Sequence, residues 1–245
     1  MKRSLKTFLI SINKKSPMKA LILFDIDKTL LRKATGHGDA FKEGFKRVFG
    51  ISAAREDIIP HGMTDQQIII EVMKKNGLTE KEILPKVSEC MQVMTEYFSK
   101  KEKSIQVEVL PGAGKLLEEL QKRGYLMGLV TGNLETIGRG KMKKAHFNQY
   151  FSVGGFGSDH IDRTELAKIA IKRAKEQFNF VEKNNVFHFG DSPQDMKVGY
   201  KTGIITIGVT TGKSDRKALE KAGADYVFDS LESIETILDI ISSHL

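Results

Sequence analysis

Cysteine is nearly absent from this sequence, and long apolar runs are missing. The single cysteine among 245 residues, Cys90, excludes an internal disulfide and is typical of a protein from the reducing cytosol. Cys90 falls on an apolar helical stripe, which favours a packing role over a chemical one. The apolar patch Phe8–Ile10 is too short for a membrane span or a signal peptide. These absences predict a cytoplasmic protein without a membrane partner.

Clustered positive charge is also lacking, although the net charge is +8. Lysine and arginine are spread along the chain, without a basic cluster interleaved with aromatic residues. A nucleic-acid partner is therefore not predicted, and the charge is interpreted as a solvated surface that attracts anionic substrates. The length predicts one domain, or one domain with an insertion. The basic residues 1–17 are expected to form a poorly ordered extension.

The most informative stretch is Phe24–Leu30, which reads FDIDKTL. The apolar run Ala20–Phe24 predicts a short buried strand that ends in two acidic residues, Asp25 and Asp27. Two carboxylates at a buried strand end are costly unless a cation lies beside them. On a fully extended strand both would face the same side, and carboxylate oxygens combined with a phosphate suit Mg²⁺.

A helical region without strand-like segments follows this stretch. Its helices are indicated by apolar residues at helical spacing and by stop signals such as Gly50. Because these helices do not alternate with strands, we predict a separate helical lobe over residues 33–109. The predicted helices cover about 40–49, 65–75 and 80–103.

From Leu110 onwards, helical and strand-like segments alternate. Repeated β-α units predict a parallel sheet covered by helices on both faces, a Rossmann-like α/β fold into which the all-helical lobe is inserted. The sheet domain would comprise residues 18–32 and 110–245, with ligands at the carboxyl ends of its strands. The predicted strands cover 20–24, 125–130, 150–153, 185–189, 204–209 and 226–228.

The chain resembles the haloacid dehalogenase-like hydrolases at the ends of its predicted strands. The first motif of that family is Asp-x-Asp-x-Thr, and residues 25–29 match it, with Lys28 where glycine is usual. The sequence Thr131-Gly132-Asn133 follows a second strand and resembles the second motif of the family. Its amides would lie at a helix N-terminus, where an anion is favoured.

The chain resembles the fourth motif of the family, whereas its match to the third motif is weak. Gly190 to Asp195 resembles the fourth motif, Gly-Asp-x-x-x-Asp, with Asp191 as a metal ligand and Asp195 as a hydrogen-bonding support. The third motif normally supplies a lysine, often before proline, and this chain has no such pair there. Arg163 is our choice for the cation, because a guanidinium grips phosphoryl oxygens in a bidentate manner.

The resemblance implies a Mg²⁺-dependent phosphatase that acts on a small phosphorylated metabolite. In this interpretation Asp25 attacks phosphorus to form an aspartyl-phosphate, and Asp27 is first the general acid and then the general base. The metal would be held by Asp25, Asp191 and the main-chain carbonyl of Asp27. The groups implied to hold the phosphoryl oxygens are Thr131, Gly132, Asn133 and Arg163.

Several alternatives remain open at this point. The loop Gly62–Asp65 resembles that of phosphoglycolate phosphatase-like members, and His37, His61, Met63 and Asp65 are expected at the entrance to the site. A phosphosugar mutase shares the fold and uses a histidine of the lobe, for which His37 has a comparable spacing. A phospho-receiver uses a similar set of residues in a different order and lacks a helical insertion. A binding scaffold without activity would not need every acidic residue.

Overall fold

The central element is a parallel sheet, which we describe from a computed structural model covering residues 18–181 and 185–245. The predicted extension, residues 1–17, lies outside the described residues. The strands in this part of the chain are β1 (Leu21–Phe24), β2 (Leu31–Ala34), β3 (Val107–Val109), β4 (Leu126–Thr131), β5 (Val153–Phe156), β6 (Val186–Gly190), β7 (Ile205–Val209) and β8 (Tyr226–Phe228).

Six of these strands form the sheet in the order β5-β4-β1-β6-β7-β8, and all neighbouring pairs are parallel. Strand β1 is apolar and fully buried at the centre of the sheet. Its last residue, Phe24, pairs with Leu129 of β4 and with Phe189 of β6. The chain therefore leaves these three strands at the same edge, at the point where the strand order reverses and where ligands bind in sheets of this kind.

Helices cover both faces of the sheet, so the predicted Rossmann-like fold is confirmed. Side chains alternate along β1: Ile22 and Phe24 pack into one apolar cluster, whereas Leu21 and Leu23 pack into the other. These helices are α5 (Ala113–Lys122), α6 (Glu135–Lys144), α7 (Arg163–Phe178), α8 (Pro193–Thr202), α9 (Arg216–Lys221) and α10 (Ile234–Ser243).

The inserted lobe is helical and has its own apolar cluster, which also takes in Leu134 and Ile137 at the start of α6. Its third helix, predicted as continuous over 80–103, is divided near Pro85 by a short 3₁₀ turn, because proline supplies no backbone N–H. The helices of the lobe are α1 (His37–Gly44), α2 (Asp65–Lys75), α3 (Glu80–Ile83) and α4 (Val87–Lys101). None of the helices in the described ranges combines the length and apolar character that a membrane span needs.

Two further features differ from the sequence-based expectation. Strands β2 and β3 pair as an antiparallel ribbon, through which the chain enters and leaves the lobe. The predicted boundaries of the lobe, residues 33 and 109, fall inside this ribbon. The strand expected at 150–153 begins instead at Val153, after a 3₁₀ turn over Asn148–Tyr150. The strand is predicted too early in the chain because Tyr150 and Phe151 are apolar. Gly154 and Gly155 lack apolar side chains, so the segment that forms the strand has a weak strand pattern.

Gly155 is expected to be indispensable for packing α7 on the sheet. A Cβ atom there would lie 1.9 Å from the carbonyl oxygen of Leu166 in α7. Gly155→Ala should therefore destabilise the protein by about 1–3 kcal/mol, equivalent to about 2–4 °C in Tm per kcal/mol for a chain of this size. Gly114→Ala is the matched control, because a Cβ at that helical position meets nothing closer than 3.5 Å. Equal melting temperatures for the two variants would contradict this packing.

Candidate active site

The carboxyl ends of β1, β4 and β6 bring together the polar residues that the sequence places after separate strands. Asp25 follows β1, Thr131 ends β4 and Asp191 follows β6. A cavity of about 370 Å³ opens above them, beneath the helical lobe. Its walls include most of the predicted site residues, namely Asp25, Asp27, Gly132, Asn133, Arg163 and Asp191.

Three buried carboxylates lie close together at the site, and two of them, Asp25 and Asp191, line the cavity. One ligand oxygen each from Asp25, Asp191 and Asp195 can be chosen so that all lie within 4.8 Å of one another. Burial raises the pKa of Asp25 to about 7, although the guanidinium of Arg163 opposes this shift. Burial and the charges of Asp195 and Asp25 raise the pKa of Asp191 to about 9. Like charges buried this close together favour proton uptake or a bound cation.

The donor set fits a divalent cation with a preference for oxygen. Oδ2 of Asp191 is buried and has no hydrogen-bond partner among the described residues. Oδ2 of Asp195, in contrast, accepts hydrogen bonds from the amide (3.1 Å) and the hydroxyl (2.6 Å) of Ser192. Asp25 and Asp191 could therefore hold Mg²⁺ as ligands, whereas Asp195 is occupied with its neighbours.

Arg163 supplies the positive charge nearest to these acids. The helix α7 begins at this residue, directly after the N-cap Asp162, whose side chain accepts a hydrogen bond from Thr164 N at 2.7 Å. The guanidinium donates from Nη2 to Oδ1 of Asp25 at 3.0 Å and from Nη1 to Oδ1 of Asp195. The side chain is 9% exposed. Lys168, in contrast, is 54% exposed and pairs with Glu165, away from the acids.

Asp27 lies apart from the acid cluster, in contrast to the arrangement expected for an extended strand. The strand β1 ends at Phe24, and the chain turns through Lys28, which has a positive φ of 69°. The Asp27 carboxylate accepts hydrogen bonds from Lys141 Nζ at 2.7 and 2.9 Å and from Asn133 Nδ2 at 2.9 Å. Although burial acts to raise the pKa of Asp27, the charge of Lys141 and the hydrogen bonds from Lys141 and Asn133 together hold that pKa well below the ordinary range.

Lys141 is a site residue that the sequence motifs do not indicate. Its side chain is 1% exposed and projects from the buried face of α6, four residues after Ile137. A lysine at an apolar stripe position is unusual, because a buried ammonium needs partners. That spacing was the available signal, but the carboxylate that satisfies the lysine is 114 residues away in sequence. The pairing could not be predicted without the fold.

The helical lobe closes the upper side of the site. His61 Nε2 lies 2.9 Å from the hydroxyl of Ser214, and its Nδ1 lies 3.8 Å from Oδ2 of Asp191. The amide of Asp65 donates to the carbonyl of Gly132 at 2.8 Å, so the first turn of α2 rests on the loop after β4. The lobe residues that the sequence places at the entrance, His37, His61, Met63 and Asp65, all line the cavity.

Comparisons with known proteins agree with this architecture. The family model described as haloacid dehalogenase-like hydrolase matches residues 22–209. Pyrophosphatase PpaX of Bacillus mycoides is 23% identical over 225 residues, which cover 90% of this chain and 97% of that protein. A phosphoglycolate phosphatase of Synechococcus elongatus is 23% identical over 124 residues, 51% of this chain and 56% of that protein.

A solved structure gives the same result for the fold. The crystal structure of a hydrolase from Pseudomonas syringae superposes with a TM-score of 0.63 at 22% identity. The match covers 91% of this chain and 99% of that one. The strand-end acids, the inserted helical lobe and a family match over most of the sequence lead to one conclusion: the chain belongs to the haloacid dehalogenase-like hydrolases.

Proposed function

We propose that the protein is a Mg²⁺-dependent phosphatase that hydrolyses a small phosphomonoester through an aspartyl-phosphate on Asp25. The observation that carries this proposal is the group of buried carboxylates, Asp25, Asp191 and Asp195, beside the guanidinium of Arg163. A divalent cation bound by these carboxylates would offset the repulsion between their negative charges. A cavity of about 370 Å³ suits a small substrate, since typical ligand sites span about 300–1,000 Å³.

The metal would be held by the side chains of Asp25 and Asp191 and by the main-chain carbonyl of Asp27. When bound, Mg²⁺ offsets the negative charge of the phosphoryl group and of the acids around it. The oxygen of Asp191 that lacks a hydrogen-bond partner among the described residues supports this assignment.

In the first half of the proposed reaction, a carboxylate oxygen of Asp25 attacks phosphorus as the bond from phosphorus to the substrate oxygen breaks. The phosphoryl oxygens would be held by the hydroxyl of Thr131, the amides of Gly132 and Asn133, and the guanidinium of Arg163. These donors stabilise charge that grows during the transfer.

Asp27 is proposed to move the protons. It gives a proton to the departing oxygen and later takes one from the water that hydrolyses the aspartyl-phosphate. Because Lys141 lowers the pKa of Asp27, the free enzyme carries it as a carboxylate. A negatively charged phosphoryl group beside Asp27 raises its pKa, so we expect the acid form to arise with bound substrate.

The surroundings of His37 favour hydrolysis over the mutase reaction. Both ring nitrogens lie within hydrogen-bond distance of protein groups, Nε2 at 3.0 Å from Asp65 Oδ2 and Nδ1 at 3.1 Å from Lys141 Nζ. A histidine that shuttles a sugar proton needs a nitrogen free for the substrate. The names of the relatives, pyrophosphatase and phosphoglycolate phosphatase, likewise suggest a small phosphorylated metabolite as the substrate.

Asp25→Asn should abolish the nucleophile and one metal ligand together. We expect phosphate release to fall by at least about a thousandfold, because the variant lacks both the nucleophile and a metal ligand that stabilise the transition state. Released phosphate would be measured over a set of phosphorylated metabolites, with Asp239→Asn on the exposed side of α10 as the control. Near-normal turnover by Asp25→Asn would refute the nucleophile, and full activity under complete chelation would refute the metal.

Arg163 should be replaceable in part by another cation. Arg163→Ala should reduce kcat strongly, and Arg163→Lys should recover a portion of it, because lysine restores the charge but not the two-pronged geometry. Lys168→Ala on the exposed side of the same helix is the control and should retain full activity. Equal rates for the Ala and Lys variants would show that the charge of Arg163 does not act on the substrate.

Magnesium should stabilise the protein more at higher pH. A carboxyl group with a raised folded-state pKa loses its contribution to stability as the pH rises from the ordinary carboxyl range through that pKa. For Asp191 this loss extends to about pH 9 in the metal-free protein. Bound Mg²⁺ replaces the proton, so its apparent affinity should rise by up to about tenfold per pH unit.

The measurement is the difference in Tm between protein in Mg²⁺ and protein in chelator, at pH 7, 8 and 9. We expect the difference to widen with pH in the wild type. Asp191→Asn lacks the titrating group and should show neither the widening nor a large shift with Mg²⁺. A pH-independent difference in the wild type would contradict a metal site built on Asp191.

A further inference from the structure

Lys141 is a buried cation whose hydrogen-bonding capacity is fully used. An ammonium group has three hydrogens to donate. Its Nζ lies 2.7 Å from Asp27 Oδ2, 2.6 Å from Asn133 Oδ1 and 3.1 Å from His37 Nδ1. These three partners come from the turn after β1, the loop after β4 and the start of the helical lobe. Lys141 therefore connects two loops of the active-site edge to the lobe.

The neighbours of His37 fix its tautomer. Its Nδ1 faces Lys141 Nζ and, at 3.3 Å, Nη1 of Arg55, and both are donors only. Nδ1 must therefore be the acceptor, and Nε2 carries the hydrogen that is donated to Asp65 Oδ2 at 3.0 Å. Burial keeps the ring neutral by lowering the pKa of His37. His37 thus presents a fixed lone pair to Lys141.

Asp65 in turn holds His37 in place. Besides the histidine, its Oδ2 accepts a hydrogen bond from the amide of Leu134 at 2.9 Å, and its own amide donates to the carbonyl of Gly132 at 2.8 Å. Asp65 is the first residue of α2 in the lobe, and it is 2% exposed. The chain of contacts from Asp65 through His37 to Lys141 exists only while the lobe lies on the sheet domain.

We propose that Lys141 is a positioning residue that fixes the orientation of the Asp27 carboxylate, and that His37 and Asp65 hold Lys141 in that position from the lobe. The inference rests on the proposed function, in which Asp27 moves the protons. Asp27 is 39% exposed, and Lys141 is the one cation in hydrogen-bond contact with it among the described residues. Without Lys141, the neutral amide of Asn133 alone would direct that carboxylate.

The step that depends on this orientation is the protonation of the leaving group. As the phosphorus–oxygen bond to the substrate breaks, its electron pair passes to the leaving oxygen, which takes the proton of Asp27, while Asp25 forms the new bond to phosphorus. 4-Nitrophenolate is a weak base and can leave as the anion without a proton. Phenolate is more basic, so its departure depends on protonation. The ratio of kcat/KM for 4-nitrophenyl phosphate to that for phenyl phosphate therefore reports on protonation.

The experiment measures this ratio in the Mg²⁺-loaded wild type, in three test variants and in one control variant. Lys141→Met should raise the ratio at least about tenfold, a part of the 10²–10⁴ that general acid–base catalysis contributes. His37→Gln keeps a donor toward Asp65 but loses the acceptor for Lys141, and it should raise the ratio to a smaller extent. His37→Asn keeps an acceptor at the place of Nδ1 and should raise it least. Lys143→Met, an exposed position on the same helix, is the control.

The results separate the two proposals. A variant that only loosens the structure lowers both kcat/KM values together, so an unchanged ratio in a folded, active Lys141→Met protein would overturn the positioning role. A larger rise in the ratio for His37→Asn than for His37→Gln would overturn it as well. If the wild type lacked hydrolysis that depends on Asp25, the proposed function would fail first, and this inference with it.

Discussion

The structure depends on one electrostatic constraint: carboxylates must be kept close together at the end of a buried strand. Asp25, Asp191 and Asp195 lie where apolar strands exclude water, and mutual repulsion would open such a group unless positive charge stays beside it. Arg163 provides part of that charge at the first residue of α7. The helix must then approach the sheet closely, and the absence of a side chain at Gly155 permits this. A backbone detail of β5 is thereby linked to the electrostatics of the site.

The acids are divided between two electrostatic environments only a few residues apart. Asp25 lies in the group that resists ionisation, whereas Asp27 lies beside an ammonium that promotes it. In the metal-free protein the two carboxyl groups therefore have pKa values shifted in opposite directions, and they differ in charge over the pH range between them. Lys28, where glycine is usual in the family motif, has a positive φ of 69° in the turn that directly follows Asp27.

Much of this arrangement could be predicted from local patterns. Strand β1 is a run of apolar residues that ends in acids, and the loops after β4 and β6 carry short polar signatures at comparable positions. Parallel topology alone then brings these ends to one edge. Arg163 is selected as the cation in the stretch that corresponds to the third family motif, where the usual lysine-proline pair is absent.

The remaining features depend on contacts between distant parts of the chain. The pairing of Lys141 with Asp27 spans 114 residues, and the tautomer of His37 follows from neighbours in three separate segments. The ribbon of β2 and β3 escaped prediction because each strand is very short and most of its residues are at least partly exposed. Such strands have little periodicity of their own and are recognised only through their partner.

The ribbon has a mechanical consequence for the lobe. The two connections between the sheet domain and the lobe are hydrogen-bonded to each other along the ribbon. The amide of Leu110 donates to the carbonyl of Leu30 at one end, and the amide of Thr35 donates to the carbonyl of Gln106 at the other. The two connections therefore form a single strap. The lobe cannot swing on either connection alone; it can only follow the bending and torsion of the pair. The register shift between Leu31 and Lys33 interrupts the regular pairing of that strap. The entry to the lobe and the exit from it are thus joined by a few main-chain hydrogen bonds and are not independent of each other.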